Sequence, residues 1–348
     1  MASMIPIIMD PNFNKLGMID DYKSFIWTTR YYSPGDFELC TGLTEKSIEF
    51  LKANNYIMRE DDEHVGIIET LEVDITEENE QIIIVSGRFL SSILARRIIA
   101  AQTQVSGSVS KCIETLINDA IINPTITARK IDNFTFGEYE NSETMSAQYT
   151  GDNLQTTITD ICEQFGIGFK TTLTDENNFL FQLFEGTDRS YDQSENPYMV
   201  FSDKYDNLLT SQYTENRQNI VTDVLAAGEG EGTERKTIWV TNGNPSGLER
   251  YEYFDDARNI SSNNGEITDE EYYMQLSEDG EEDLTTYTTA FSGEVDFSNV
   301  NYKVDLNIGD ICSIENTKLN MYINTRLVEV IESIDESGKY QIIPTFGV

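Results

Sequence analysis

The sequence predicts an α+β fold made mostly of antiparallel strands, organised as two β-barrel-like domains with small α+β insertions. Three observations carry that expectation. Apolar and polar residues alternate with a period of two, between short turn signals, along most of the 348 residues. Helical spacing is confined to a few short, capped segments. Both ends of the chain read as strand groups, placing one barrel-like domain at 1–100, an α+β insertion at 101–200 and a second barrel-like domain at 201–348, itself interrupted by a helix at about 268–290.

Composition narrows the function classes. Lys and Arg number 24 against 61 Asp and Glu, a net charge of −37, so the surface repels nucleic acid instead of gripping its phosphates. The same sign would suit a tube through which DNA slides, or simply an acidic host proteome. The longest apolar runs, such as Ile82-Ile83-Ile84-Val85, are far below the roughly 20 residues of a membrane span. The first residues lack the basic segment of a secretory leader, so folding in a cytoplasm is expected. Cys40, Cys112, Cys162 and Cys312 are far apart and only one histidine accompanies them, which points to buried thiols and away from zinc or a disulfide framework.

The stretch Phe25 to Cys40 is the centre of the expected fold. Phe25, Trp27, Thr29 and Tyr31 fall on one face of an extended strand; Ile26, Thr28, Arg30 and Tyr32 fall on the other. Bulk on both faces suggests a hairpin in a barrel wall or a subunit seam. Ser33-Pro34-Gly35-Asp36 has the composition of a type II turn. Thr44 caps a short helix with Ile48 and Leu51 on one face, and Tyr56–Arg59 and Val65–Ile75 form a second hairpin around an acidic turn. A Glu77-Glu78-Asn79-Glu80 turn leads to an apolar strand, Gln81–Ser86. The Leu90–Ile99 helix would place Arg97 on its apolar side, either snorkelling along the stripe or paired with a buried acid.

Residues Gln102–Ser110 read as a polar linker and Val109–Ile122 as a helix stopped by Asn123-Pro124. A third helix carries Leu154, Ile158, Ile161 and Phe165 on one face and ends at Gly166, followed by a Gly168–Leu173 and Phe179–Phe184 hairpin. The Gly228–Gly232 run lacks the Lys and Ser or Thr of a phosphate-binding loop and reads as a turn. Thr268-Asp269-Glu270-Glu271 is a capping box opening a helix to about Thr289, whose acidic run Glu278–Asp283 should be a solvated face. Strands at Glu294–Phe297, Gly309–Ile314, Met321–Ile334 and Tyr340–Phe346 complete the chain.

Several ordered segments carry a resemblance: Arg30-Tyr31-Tyr32-Ser33-Pro34-Gly35-Asp36-Phe37, Val65-Gly66-Ile67-Ile68-Glu69, Gly87-Arg88-Phe89-Leu90 with Leu94–Arg97, Val224–Gly232 with Arg235, and Leu306–Ile311 through Asn324–Val330 to Pro344–Gly347. Together they resemble the hub proteins of bacteriophage tail tips. The resemblance implies a homotrimer in which two barrel domains per subunit form a pseudo-sixfold ring that adapts the sixfold tail tube to a threefold tip. Its partners would be the distal tail protein or last tube ring, the tape measure protein and a spike or tip protein, with viral DNA passing through the channel without specific binding. It also implies a virion component assembled in the bacterial cytoplasm. Gly87, Arg88, Arg97, Gly309, Asp310 and Arg326 would be structural family positions, and Phe25, Trp27, Tyr31, Tyr32, Pro34 and Gly35 the seam or core hairpin. The chain's end at Phe346-Gly347-Val348 leads to the expectation of a hub without a wall-degrading extension.

No catalytic, metal or cofactor site is expected. His64, the one histidine, lies in an acidic turn with no nucleophile signature and should be an exposed turn residue. Acids are too abundant for a carboxylate pair to be recognised by sequence. The alternative class is a carbohydrate-directed protein, either a peptidoglycan glycosidase or an acidic adhesin using Trp239, Tyr251 and Tyr253, with barrel packing as the plainer role for those rings.

Overall fold

A computed structural model describes residues 4–75, 81–210, 212–265, 267–292, 296, 301–318 and 321–347. The expected Glu77–Glu80 turn and most of the Glu294–Phe297 strand lie outside them. The fold is α+β and mostly antiparallel β.

One sheet dominates. Its path begins at β15 (Gln212–Asn216) and runs through β19 (Thr288–Ser292), β22 (Tyr340–Gly347), β21 (Met321–Asp335), β3 (Tyr22–Arg30), β4 (Asp36–Gly42) and β8 (Gln81–Arg88) to β7 (Thr70–Ile75). Every neighbouring pair along it is antiparallel. Four strands come from the first hundred residues and four from the last part of the chain, and the halves meet where β3 pairs with β21. β20 (Ile311–Asn316) adds to β21 out of this path and carries β14 (Val200–Ser202) in parallel.

Period-two alternation sorts the two faces. Leu71, Val85, Leu39, Phe25, Ile334 and Tyr340 follow one another across six strands on the core face. One residue along, Thr70, Ser86, Glu38, Ile26, Ser333 and Gln341 form the matching row on the other face. Phe25, Trp27, Phe37, Leu39 and Val85 are buried in one core, and burying each such side chain is worth about 1.5–3 kcal/mol. At the β7 edge the core face is uncovered: Leu71, Val73 and Ile75 are 43%, 53% and 61% exposed.

A smaller sheet, β2 (Lys15–Met18), β1 (Ile7–Met9), β5 (Tyr56–Met58) and β6 (Val65–Ile67), packs beside it. Val65–Ile75 is therefore two strands in two sheets: Ile68 and Glu69 make the crossing, their amides bonding to the Asn55 and Ser86 carbonyls. Helix α1 (Glu45–Phe50) has Thr44 and Ser47 as a reciprocal capping box; Leu51 is buried, but Ile48 points outward and is 53% exposed.

A second core gathers residues from Leu94 to Leu183. Helices α2 (Val109–Ile117), which closes in a π-type turn, and α3 (Leu154–Phe165) bury Ile113, Leu116, Leu154, Ile158 and Ile161 against β10 (Phe134–Phe136), β13 (Phe179–Phe184) and β12 (Gly168–Leu173). Asn153 caps α3, and Gly166 ends it at φ 67°. The expected linker is instead β9 (Thr103–Ser108), paired along its length with β11 (Thr144–Tyr149) and burying Val105. Residues Leu90–Arg96 form a 3₁₀ helix that stops before Arg97, which is extended. Ser91 and Ser92 inside it are buried.

In the last unit, β16 (Asp223–Ala227) lies between β17 (Thr237–Thr241) and β18 (Glu252–Asp255), and α4 (Asp269–Glu282) covers one face of this sheet. Thr268 and Glu271 form the expected capping box, but α4 ends seven residues before Thr289. No helix among the described residues is long and apolar enough to cross a membrane.

Candidate functional site

Five of the singled-out residues converge where the N-terminal strands, the insertion and the C-terminal strands meet. Tyr31, at the end of β3, has no exposed surface. Its hydroxyl donates to the carbonyls of Gly166 and Phe184 at 3.0 and 3.2 Å, sharing one proton, and accepts from the Gly186 amide at 3.3 Å. Burial pushes this phenol up to about 12. Arg326 of β21 lies over the ring, 5.0 Å from its centre, and donates to the Gly309 carbonyl at 2.7 Å. Gly309 is left-handed at φ 91°, and a Cβ there would come within 2.3 Å of the Tyr31 ring. Asp310, 1% exposed, accepts from the Thr187 and Asn307 amides and from Arg189 at 2.8 Å. Tyr32 packs edge-on against Tyr31 at 4.7 Å and contacts the insertion core.

Phe25 and Trp27 sit inside the chain's own core with no exposed surface, so they present nothing to a second subunit. Pro34, Gly35, Gly87 and Arg88 form a separate group at the hairpin's end. The Pro34 carbonyl accepts from Arg30 at 3.2 Å, while Arg30 also bonds Glu329 across the β3–β21 pairing at 2.6 Å. Gly35 is not at positive φ, so the type II turn is absent. Glycine is needed there for space: a Cβ would lie 2.0 Å from the Thr28 carbonyl oxygen and 2.5 Å from the Phe89 ring. Gly87 pairs with Phe37, and Arg88 holds Glu69 with two bonds of 2.8 Å. Arg97 takes neither expected role. It donates to the Arg129 and Arg96 carbonyls, and burial together with Arg129 and Arg96 lowers its pKa.

Behind Trp27 runs a buried charge network that sequence reading did not foresee. Arg59, without exposed surface, binds Asp61 through two bonds and Glu332 of β21 at 3.1 Å. Lys303 bridges Glu332 at 3.2 Å and Asp62 at 2.7 Å, and Tyr340 donates to Glu332 at 2.7 Å. His64 is 2.7 Å from Asp62 and stacks on Phe89, its side chain 13% exposed, so it is not the open turn residue expected. Burial alone would raise the Asp62 carboxyl, but its His64 bond and the nearby Lys303 hold it well below the usual range. Asp61, Asp62, His64 and Lys303 border a cavity of about 780 Å³ between the 60–64 turn, the 184–187 segment and the 302–310 loop.

A second cleft, about 600 Å³, separates α3 from the end of α4 and is lined by Asp152, Asp160, Glu163, Asp279 and Glu282. The Glu278–Asp283 run is thus solvated in part: Glu281 and Glu282 are exposed, whereas half-buried Asp279 faces other acids across the cleft. Burial, then a hydrogen bond with Asp255, pushes Asp279 up to about 8. Two carboxyls in direct contact are closer than the roughly 5–10 Å that brackets a scissile glycosidic bond. Among the described residues, no three His, Cys, Asp or Glu side chains are grouped to hold a metal.

A family model described as Siphovirus ReqiPepy6 Gp37-like protein matches residues 5–348. No curated protein matches the chain. Among solved structures it is similar to prophage tail protein gp18 from Listeria monocytogenes EGD-e, at 14% identity over 99% of this chain and 94% of that one, TM-score 0.58. It is similar to the tail protein from Neisseria meningitidis MC58 at 11% identity, 100% and 97% coverage, TM-score 0.60. The 43 kDa tail protein of prophage MuSo2 from Shewanella oneidensis gives 11% identity, 99% and 98% coverage, TM-score 0.58. At these identities the likeness is one of fold.

Proposed function

The chain belongs to the Siphovirus ReqiPepy6 Gp37-like protein family and is a phage tail protein, and we propose that it is the hub of the tail tip, a homotrimeric ring without enzymatic activity. The open strand path carries this reading. It consists of two four-stranded halves in series, and an even number of antiparallel strands leaves its edges, β7 and β15, running in opposite directions. β7 of one copy can then meet β15 of the next in the same antiparallel sense, and three copies place six four-stranded units around an axis.

Face polarity supports the same closure. Thr70, Glu72 and Asp74 at one edge and Gln212, Thr214 and Asn216 at the other are polar and exposed on the face opposite the core, which carries isoleucines between them; that face would line a channel whose acids repel passing DNA. Leu71, Val73 and Ile75 continue the core face and would be covered by the neighbouring copy. The tube ring above, the tape measure and a spike below are the partners of such an adapter, assembled in the host cytoplasm.

Native mass measurement across a salt series tests this. A trimer strengthened by salt, because screening relieves repulsion among subunits of −37 each, is expected. Val73→Lys should yield folded monomers. A wild-type chain that remains monomeric at every salt concentration overturns the ring.

A further inference from the structure

The β17-β16-β18 sheet buries one face and displays the other. Val224, Ala226 and Val240 are buried on the α4 side. Pairing sets Trp239, Leu225 and Phe254 side by side on the opposite face, one from each strand. Trp239 is 48% and Phe254 52% exposed, so the packing role expected for Trp239 fails. Tyr251 and Tyr253 do not join the row: Tyr253 pairs with Val224 and so alternates away from Phe254.

Both rings are held in place. Arg250 lies over Trp239 at 4.9 Å while bonded to Glu252 and to Asp223, which is 1% exposed. Arg235 lies over Phe254 at 5.5 Å while bonded to Asp256 and to the carbonyls of Ala227 and Gly228. Adjacent strands are about 4.8 Å apart, so the two aromatic side chains leave the sheet about 10 Å apart with a leucine between them.

We propose that this row is a binding platform for a neutral polysaccharide, whose pyranose rings stack their C–H faces on Trp239 and Phe254. Rings immobilised before binding lose little entropy on contact, and the exposed strand residues Thr237 and Thr241 share their face with hydroxyls to offer a sugar. A phosphate polymer is disfavoured because both guanidinium groups already hold carboxylates and the chain carries −37. A protein partner is disfavoured by size: three side chains supply a fraction of the roughly 800 Å² per partner of a stable interface. The proposal does not depend on ring assembly.

The chain's two tryptophans make the test selective, since Trp27 has no exposed surface and acrylamide quenching reports Trp239. The full chain is titrated with chitotetraose, an extended β-linked oligosaccharide, and with maltotetraose, a curved α-linked one. Saturation by either should shift emission to the blue and lower quenching at least twofold. Trp239→Ala and Phe254→Ala should each weaken binding at least tenfold by calorimetry, with unchanged melting temperature. Absence of binding by both sugars, binding that survives Trp239→Ala, or protection of Trp239 by self-association without sugar would each overturn the proposal.

Discussion

Beside Trp27, Asp61, Asp62 and Glu332 share Arg59, Lys303 and His64, whereas between α3 and α4 the acids Asp160, Glu163, Asp279 and Glu282 face one another across a cleft. A chain with 24 bases and 61 acids cannot pair every carboxylate. Arg30, Arg59 and Lys303 pair with acids where the N-terminal strands join the C-terminal ones, at a seam that must hold in any assembly. The insertion meets the α4 unit across unpaired acids, so that contact depends on the solution. Charge thus fixes one junction and makes the other adjustable.

The strongest way to break this contrast is Arg59→Ala. It leaves Glu332, 2% exposed, without its guanidinium partner but still held by Lys303 and Tyr340, so the loss should fall below the about 3–5 kcal/mol of a buried charge left with no partner. Chemical unfolding measures the loss; a cost below about 1 kcal/mol would mean the network is incidental. Titration should separate the regions further. The folded Asp62 carboxyl titrates below its ordinary value of 3.8, so its contribution is present above that pH and is lost as pH falls through the folded pKa. Asp279 is raised to about 8, so its contribution is complete below 3.8 and is lost as pH rises through about 8. Hydrogen exchange should therefore loosen the 59–64 turn in acid and the α3–α4 contact in base. The smallest effect expected is from Asp279→Asn: none below pH 3.8, and a gain that grows above it to on the order of 1 kcal/mol or more at pH 9.

What the sequence made legible was local. The β12–β13 hairpin and α3 with its cap and terminal glycine occupy the residues expected because their signals lie within a dozen positions. The Tyr31 junction was visible only as separate motifs: Arg326 and Gly166 reach it from 295 and 135 residues away, and no periodicity encodes that convergence. Arg59, Glu332 and Phe254 carried no local signal either, since an arginine before an acidic turn or an aromatic in a short strand is ordinary. Gly35 was singled out for the wrong reason. Turn chemistry suggested positive φ, while tertiary contact with Phe89 and Thr28 excludes a side chain. In the acidic run of α4, Glu281 and Glu282 are exposed as expected, but the cleft around Asp279 carried no signal because a single helix cannot reveal the acids that face it.

The pairing of β3 with β21 also constrains the birth of the molecule. Arg30 finds Glu329 across 299 positions, so the ribosome must release nearly the whole polypeptide before the central strand gains its second neighbour. The nascent N-terminal half, with its tryptophan-bearing strand paired on one side only, must wait for the C-terminal strands, and native structure should appear late and slowly.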